Sequence, residues 1–330
     1  MQEQGLYGTQ RSSLTQGYLL LALTILIWGA YMPVGKVVSA QIDVFWLTFI
    51  RYAAAGLLLG AVLVWWEGPS ALAFPRRDFG TLLLLGALGS AGFGLFSYLG
   101  VRLTRPEHAA AIAVMTPINV AIWRAIETRS APPRPVMFCI LAVVFGAILV
   151  VTRGRLDALL SGGSLLGDAF VLVSSLCWTF YTIRAQSLTG YSAVRLTAIG
   201  CLLGSPIGLA LALATTWIGY STVPSVATLW SFWPHLVYII VAVSLLSIVT
   251  WNIAVRAVGA QDATLVSSFT PVIPFAWAYG QGQVFTVLEV FGAALIVAAI
   301  CAHNIFERRR ARLLVASQVQ LRRERAKEAT

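Results

Sequence analysis

Charged side chains are scarce in this sequence of 330 residues, of which only 11% are Asp, Glu, Lys or Arg. A typical soluble domain carries about 25%. Hydrophobic residues make up 58% of the chain and form long runs such as 18–31, 57–66 and 136–151. Because a helix needs about 20 largely apolar residues to cross a bilayer, this composition excludes a soluble domain and predicts an all-α integral membrane protein.

Groups that carry chemistry are equally few. The three histidines are scattered at His108, His235 and His303, and the four cysteines lie inside apolar runs without the spacing of metal ligands. Catalysis would need a converging cluster of such groups. We therefore expect no enzyme activity, no metal site and no cofactor. Glu289 is the only membrane-embedded carboxylate candidate, so the sequence does not support coupling to protons.

Apolar windows bounded by charges, Pro or Gly predict ten transmembrane helices. They lie at 17–38, 45–66, 79–101, 107–126, 135–152, 166–187, 194–217, 234–256, 261–281 and 285–305. Ten crossings place both termini on one side, where the connecting segments carry 17 Lys and Arg against five on the other side. The positive-inside rule then predicts cytoplasmic termini and a multi-pass protein of the inner (plasma) membrane.

Part of the net charge of +10 lies in the C-terminal segment, which has eight Lys and Arg and three Glu in residues 307–330. Such a basic tail is attracted to anionic lipid and does not require nucleic acid as a partner. The predicted organisation is a cytoplasmic N-terminal segment (1–16), two five-helix units (17–153 and 154–306) and this cytoplasmic tail (307–330). We expect a monomer in the bilayer.

The two five-helix units are repeats of one another. At an offset of 150 residues the matches are Gly17 with Gly167, Trp28 with Trp178 and Tyr31 with Tyr181. At an offset of 154 they are Val101-Arg102 with Val255-Arg256, Thr116-Pro117 with Thr270-Pro271 and Trp123 with Trp277, and at 146 Val144–Ala147 match Val290–Ala293. Since five is odd, the second repeat inserts inverted relative to the first, as in many secondary transporters.

Paired prolines and aromatic residues mark a candidate site. Pro117 and Pro271 interrupt the fourth and ninth predicted spans, either as hinges beside a central site or as packing kinks. Trp28 and Trp178 lie well inside their spans, where an interfacial aromatic belt explains them poorly, and so predict the wall of a central cavity. The counterparts at offset 154 in the third and eighth spans, Ser97-Tyr98 and Trp251-Asn252, add polar groups at membrane depth.

Arg51 lies within the second predicted span, near one end. A charged side chain at the bilayer centre costs about 2.5–3.5 kcal/mol, so Arg51 is expected either to snorkel to the interface or to bond the backbone. The alternative is that Arg51 and Lys36 attract the carboxylate of a solute.

The order of these features resembles the EamA-type drug/metabolite transporter superfamily. The resemblance covers about residues 17–306 and rests on Trp-Gly-x-Tyr at 28–31, Thr-Pro in the fourth and ninth spans and Phe-Gly-Ala in the fifth and tenth. It implies ten helices around a central cavity and alternating access. Within the superfamily, the placement of aromatic residues is similar to that of bacterial aromatic amino-acid exporters. The implied substrate contacts are Trp28, Tyr31, Tyr98, Met115, Trp178, Tyr181, Trp251, Asn252 and Phe269.

The resulting hypothesis is an exporter of small amphipathic metabolites, above all aromatic amino acids. An exporter of other amino acids or of cationic drugs with the same fold is the alternative, because aromatic walls also suit those solutes. A membrane scaffold or lipid scramblase needs no catalytic residues and is the alternative from another class.

Overall fold

The computed structural model describes residues 2–104, 109, 112–152, 154–155, 164–270, 272, 286–303, 305–306 and 309, although side chains are undescribed at 2–13, 32 and 151. Throughout these residues the regular secondary structure is helical. The helices are α1 (Gln2–Gly29), α2 (Tyr31–Ser39), α3 (Val44–Glu67), α4 (Arg76–Leu103), α5 (Thr116–Thr128), α6 (Arg134–Val151), α7 (Leu165–Ser187), α8 (Ala193–Trp217), α9 (Val226–Ser231), α10 (Trp233–Val258), α11 (Ala260–Ser267) and α12 (Val287–His303).

Five of these helices, α3, α4, α7, α8 and α10, are long and apolar enough to cross a membrane. They coincide with predicted spans two, three, six, seven and eight. The first predicted span corresponds to a helix pair, Leu14–Gly29 and Pro33–Ser39, that bends by 41°. Helices α6 and α12 are shorter apolar helices within the described residues. Over the described residues the structure is thus all-helical and has five helices long and apolar enough to span a membrane, whereas the predicted total of ten spans stays a prediction.

Helix ends are fixed by side-chain caps where the chain re-enters the bundle. The Asp43 carboxylate accepts the amide of Phe45 before α3, and the Ser192 hydroxyl accepts the amide of Arg195 before α8. At the start of α12, Glu289 accepts the backbone amide of Thr286 at 2.6 Å and the Thr286 hydroxyl accepts the amide of Glu289. This reciprocal pair is a capping box, which gives Glu289 a structural role.

Both long helices α4 and α10 contain a π-helical stretch, Leu85–Gly92 and Tyr238–Leu246 respectively. The two stretches fall at equivalent positions of the repeats, because Leu85 plus the offset of 154 is residue 239. A π-helical segment widens a helix locally and re-aims its side chains, and such segments often occur at functional sites. The two repeats therefore share a π-helical stretch as well as short sequence motifs.

Predicted spans four and nine are also interrupted at equivalent positions. In span four the helix breaks at the turn Val114–Met115, and α5 begins at Thr116 with Pro117 in its first turn. In span nine α11 ends at Ser267 and residues 268–270 form a turn. Pro117 therefore starts a helix, a position that suits proline because its missing N–H has no helical partner there, and does not kink a continuous one.

The repeats exchange contacts reciprocally. Gly17 of α1 packs on α10, where an added Cβ would lie 2.9 Å from the Ala257 Cβ. Its counterpart Gly167 of α7 packs on the end of α4, where an added Cβ would lie 2.7 Å from the Thr104 amide nitrogen. Positions 103 and 104 plus 154 are 257 and 258, so each repeat places its first helix against the third helix of the other. A two-fold relation produces such paired contacts.

The Phe-Gly-Ala motifs meet on the axis of that relation. A Cβ at Gly146 would lie 2.7 Å from the Gly292 carbonyl oxygen, and a Cβ at Gly292 would lie 2.6 Å from the Gly146 carbonyl oxygen. Only glycine permits this approach between α6 and α12, as in small-residue packing of membrane helices. Helices α3 and α8 form a second such pair, with Gly56 packed against the backbone at Leu202.

Candidate functional site

Three tryptophans from both repeats meet inside the bundle. The Trp28 ring of α1 lies 5.4 Å from the Trp178 ring of α7 and 5.1 Å from the Trp251 ring of α10, and the last two are 5.8 Å apart. Trp251 is fully buried and Trp178 is 6% exposed. We call these three residues the tryptophan cluster. Their edge-on and tilted arrangements are favourable aromatic geometries.

The tryptophan cluster repeats the reciprocal contact pattern of the helices. The Trp28 Nε1 donates to the Ser247 Oγ of α10 at 2.8 Å. Its counterpart Trp178 lies 4.9 Å from the ring of Phe93 in α4, and position 93 plus 154 is 247. Trp251 has no tryptophan counterpart and donates from Nε1 to the Thr182 Oγ1 at 3.3 Å. The cluster is therefore centred on the junction of the two repeats.

Beside the tryptophan cluster, a guanidinium is surrounded by hydroxyl groups. The Arg51 Nε donates to the Ser244 Oγ at 2.5 Å, and its Nη1 donates to the hydroxyls of Tyr31 and Tyr98 at 2.8 and 3.2 Å. The Tyr52 ring lies under the guanidinium, 4.6 Å from its central carbon. We call these five residues the Arg51 cluster. Arg51 is 1% exposed, so the expected snorkelling to the interface is wrong: the side chain turns inward to these hydroxyls.

Around Tyr181, the repeat counterpart of Tyr31, the hydrogen-bond donor is an amide. The Asn252 Nδ2 donates to the Tyr181 hydroxyl at 2.6 Å and to the Thr197 Oγ1 at 3.0 Å. The Tyr181 ring stacks on Trp178 at 5.1 Å. We call Tyr181, Thr197 and Asn252 the Asn252 cluster. It is neutral, and all three members are buried.

The predicted site residues divide into two groups. The structure brings together Trp28, Tyr31, Arg51, Tyr98, Trp178, Tyr181, Trp251 and Asn252. Met115 lies instead at the turn before α5 and is 37% exposed, and Phe269, its counterpart at offset 154, packs beside Val114 and Ile296. Lys36 is exposed on α2 and makes no described contact with Arg51. Pro271 lies outside the described residues.

Sequence reasoning missed Tyr52, Thr197, Ser244 and Ser247. A signal existed for the two serines, because both are polar residues deep inside the eighth predicted span, where polar groups face the protein interior. Tyr52 follows Arg51 directly and could be read as an ordinary core aromatic residue. Thr197 belongs to the seventh span, where the repeat is weak, so its counterpart could not be aligned.

A third set of polar contacts joins the repeats where α7 and α8 connect. The Tyr191 hydroxyl donates to the Asp78 Oδ2 at 2.8 Å, and the Arg256 Nη1 donates to the Tyr191 carbonyl oxygen at 2.6 Å. The Arg195 guanidinium lies over the Tyr191 ring, 4.9 Å from its centre. Burial, together with the hydrogen bond to Asp78, raises the pKa of the Tyr191 phenol above its ordinary value. Tyr191 is therefore a neutral donor that links α4 to this connection.

Metal-binding chemistry is not indicated where side chains can be placed. In that part of the chain, no group of three or more His, Cys, Asp or Glu could hold an ion. His303 and Asp262 form a pair, with 2.8 Å between Nε2 and Oδ1. This contact joins α12 to α11 and needs no metal to explain it.

Comparison with known proteins identifies relatives over most of the chain. The model of the EamA-like transporter family matches twice, at residues 15–152 and 165–304. An uncharacterized transporter of Bacillus subtilis, YrdR, is 23% identical over 91% of this chain and 94% of its own, and one of Archaeoglobus fulgidus is 28% identical over 78% and 85%. The pseudopaline exporter CntI of Pseudomonas aeruginosa is 23% identical over 88% and 96%.

A protein of known crystal structure shares the fold. It superimposes with a TM-score of 0.71 and covers 91% of this chain and 98% of its own, at 17% sequence identity. At this identity the likeness concerns the fold alone.

Proposed function

The chain belongs to the EamA-like transporter family, and on that basis we propose that it carries small amphipathic metabolites, above all aromatic amino acids, across the membrane by alternating access. The single observation that carries this proposal is the tryptophan cluster. Its rings come from both repeats, and transporters built from repeats bind their solutes at the repeat interface near the midplane.

The chemistry of the cluster fits an aromatic solute. Aromatic side chains pack against one another in offset or edge-on pairs that contribute about 0.5–1.5 kcal/mol beyond area burial. A solute ring that enters between Trp28 and Trp178 replaces their mutual contact with two contacts, one to each tryptophan. The polar groups of an amino acid can then reach the Arg51 cluster or the Asn252 cluster. The site thus combines apolar walls with polar ends.

Alternating access would come from rocking of one repeat against the other. The reciprocal packing of α1 on α10 and of α7 on α4 gives two equivalent arrangements, one for each side of the membrane. The interruptions at Val114–Met115 and at residues 268–270 are the proposed flexing points, with Pro117 and Pro271 beside them. Replacing either proline by Ala should alter flux more than protein yield.

The proposed setting is the bacterial inner membrane, with both termini in the cytoplasm and the basic tail at anionic lipid. Export is the proposed direction, since one relative is a pseudopaline exporter. The gradient of the solute would decide the direction of net flux, because alternating access is reversible.

The testing experiment measures uptake of labelled phenylalanine and tryptophan into proteoliposomes. Non-aromatic amino acids and cationic dyes serve as competitors, and a pH gradient is imposed or collapsed. We expect saturable aromatic flux that is insensitive to the pH gradient and competed by aromatic amino acids. Competition by dyes or by non-aromatic amino acids alone would assign the carrier a different cargo. Flux that does not saturate would exclude a carrier, and absence of flux for every solute tested would favour a scramblase or scaffold.

Two tryptophan variants make the assay specific to the cluster. Trp178→Ala removes a ring that contacts Trp28, Trp251 and Tyr181, and we expect it to abolish saturable flux. Trp217→Ala is the matched control, because that ring is 91% exposed at the end of α8. Wild-type flux in Trp178→Ala, as in Trp217→Ala, would show that the tryptophan cluster does not bind the cargo.

A further inference from the structure

Arg51 is a buried cation without an acidic partner in the described structure. It lies two turns into α3 and contacts Tyr31, Tyr98 and Ser244. No ion pair of Arg51 with a carboxylate occurs among the described residues. A buried charge is costly unless an opposite charge compensates it, and neutral hydroxyls with cation–π contacts compensate it only in part.

The Arg51 cluster also has more hydrogen-bond donors than acceptors. The hydroxyls of Tyr31 and Tyr98 accept from Arg51, so each keeps its own hydrogen, and neither donates it to any described residue. The hydroxyl of Tyr52, which is 1% exposed, has no hydrogen-bond partner at all within the described part of the chain. Ser244 is satisfied, because it accepts from Arg51 and donates to the Ile239 carbonyl oxygen.

A donor-rich cationic site calls for a group that is anionic and only accepts hydrogen bonds. A carboxylate or a phosphate has this chemistry, and bonds from guanidinium and phenol to such oxygens are among the stronger ones in proteins. An apolar or cationic cargo would leave the three phenol hydrogens without acceptors and the guanidinium charge without a counter-charge. The residue inventory therefore favours an anionic group.

The position of the cluster ties this anion to the aromatic site. Ser244, which binds Arg51, and Ser247, which binds the Trp28 indole, are three residues apart on α10. Three residues advance an α-helix by about 4.5 Å along its axis, which is similar to the distance from the carboxylate to the ring in an aromatic amino acid. Ser244 lies near the end of the π-helical stretch, so the rise there is no greater than this. One solute can therefore reach both places.

We propose that Arg51, Tyr31, Tyr52 and Tyr98 form the subsite for the oxyanion of the transported solute. This inference rests on the proposed function, because it names the part of the cargo that the Arg51 cluster binds beside the tryptophans. Tyr52 contributes the hydroxyl without a partner, and Arg51 contributes the charge. The subsite is closed in this structure and opens to one side of the membrane when the repeats rock.

Binding to the purified protein tests the subsite with four indole compounds. Tryptophan and indole-3-propionate carry the carboxylate, tryptophan amide lacks it, and an indolylalkyl phosphate carries the other oxyanion. We expect the amide to bind roughly tenfold more weakly than tryptophan, or worse, because the charge-assisted bonds are lost. Tighter binding of the phosphate than of either carboxylate would keep the subsite and assign it a phosphorylated cargo.

Variants locate the selectivity. Arg51→Gln should abolish the preference for tryptophan over its amide and Arg51→Lys should retain part of it, whereas Arg102→Gln, which changes an exposed arginine of α4, should retain all of it. Tyr52→Phe should weaken tryptophan binding without lowering the melting temperature, because the removed hydroxyl has no partner. Tyr220→Phe, which changes an exposed tyrosine, is its control.

The outcomes separate the two proposals. Equal binding of tryptophan and its amide to the wild-type protein would overturn the oxyanion subsite while leaving an aromatic carrier. An equal loss of both ligands in Arg51→Gln, together with unchanged binding in Tyr52→Phe, would also overturn it and make Arg51 a structural residue. Failure of all four compounds to bind or to be transported would refute the proposed function itself.

Discussion

The Arg51 cluster and the Asn252 cluster occupy equivalent places in the two repeats and differ in charge. Tyr31 corresponds to Tyr181 at an offset of 150, and Tyr98 corresponds to Asn252 at 154. In the first cluster a guanidinium donates to two tyrosines, and in the second an amide donates to a tyrosine and a threonine. The scaffold is thus duplicated while the charge is confined to the Arg51 cluster.

The helix starts identify the counterpart of Arg51. Helix α3 begins at Val44 and α8 at Ala193, an offset of 149. At this offset Leu47-Thr48-x-Ile50 matches Leu196-Thr197-x-Ile199, and Arg51 falls on Gly200. A Cβ added at Gly200 would meet no atom within 4 Å. The second repeat therefore has an open position where the first has its cation, so the two repeats differ in charge at equivalent positions.

The two glycines at which α6 and α12 meet should be equally sensitive to substitution, and their loss of stability is the largest expected effect. Gly146→Ala and Gly292→Ala each force a Cβ to within 2.7 Å of a facing carbonyl oxygen. We expect both to lower stability by about 1–3 kcal/mol, measured as thermal unfolding in detergent. Gly80→Ala, where a Cβ meets nothing, is the control and should be neutral. A large difference in stability between Gly146→Ala and Gly292→Ala would contradict the two-fold relation of the repeats.

The Asn252 cluster should matter for stability and leave anion selectivity unchanged. Asn252→Leu removes two buried hydrogen bonds and leaves the Tyr181 hydroxyl without its donor. We expect a loss of about 1–2 kcal/mol, with the ratio of tryptophan to tryptophan amide binding unchanged. A changed ratio would show that the two clusters share the oxyanion and would contradict the assignment to Arg51.

The paired threonines test a smaller difference. Thr197 accepts a bond from Asn252 on another helix, whereas the Thr48 hydroxyl bonds only to the Val44 carbonyl oxygen of its own helix. Thr197→Val should cost about 0.6 kcal/mol, the average for hydrogen bonds between membrane helices, and Thr48→Val should cost less. Reversal of this order in thermal unfolding would mean that Thr197 is not a supporting residue.

Gly200, the counterpart of Arg51, should tolerate substitution best. Gly200→Ala fills open space within a helix, so stability should stay the same or rise by up to about 1 kcal/mol through helix propensity. Ligand selectivity should not change. A clear loss of transport in this variant would indicate that the open position at Gly200 is itself part of the cargo path.

Sequence alone predicted the family and the repeats, since the repeat matches recur at constant offsets. It also named Trp28, Trp178 and Trp251 as candidate substrate contacts, which stays a prediction, but it did not predict that their rings meet. It could not predict the burial of Arg51, because a cation near the end of a span suggests snorkelling and its partner Ser244 lies 193 residues away. It could not align the second and seventh spans, because their offset of 149 differs from those of their neighbours. The prediction that Met115 and Phe269 contact the solute stays a prediction, and neither lies in the tryptophan cluster.

Counterflow in proteoliposomes loaded with unlabelled tryptophan distinguishes alternating access from passive leakage. A carrier that exposes one site to each side in turn exchanges cargo faster than it returns empty, so labelled tryptophan should enter loaded vesicles faster than empty ones and overshoot transiently. Uptake that rises linearly with concentration and ignores the loading would contradict alternating access at the tryptophan cluster.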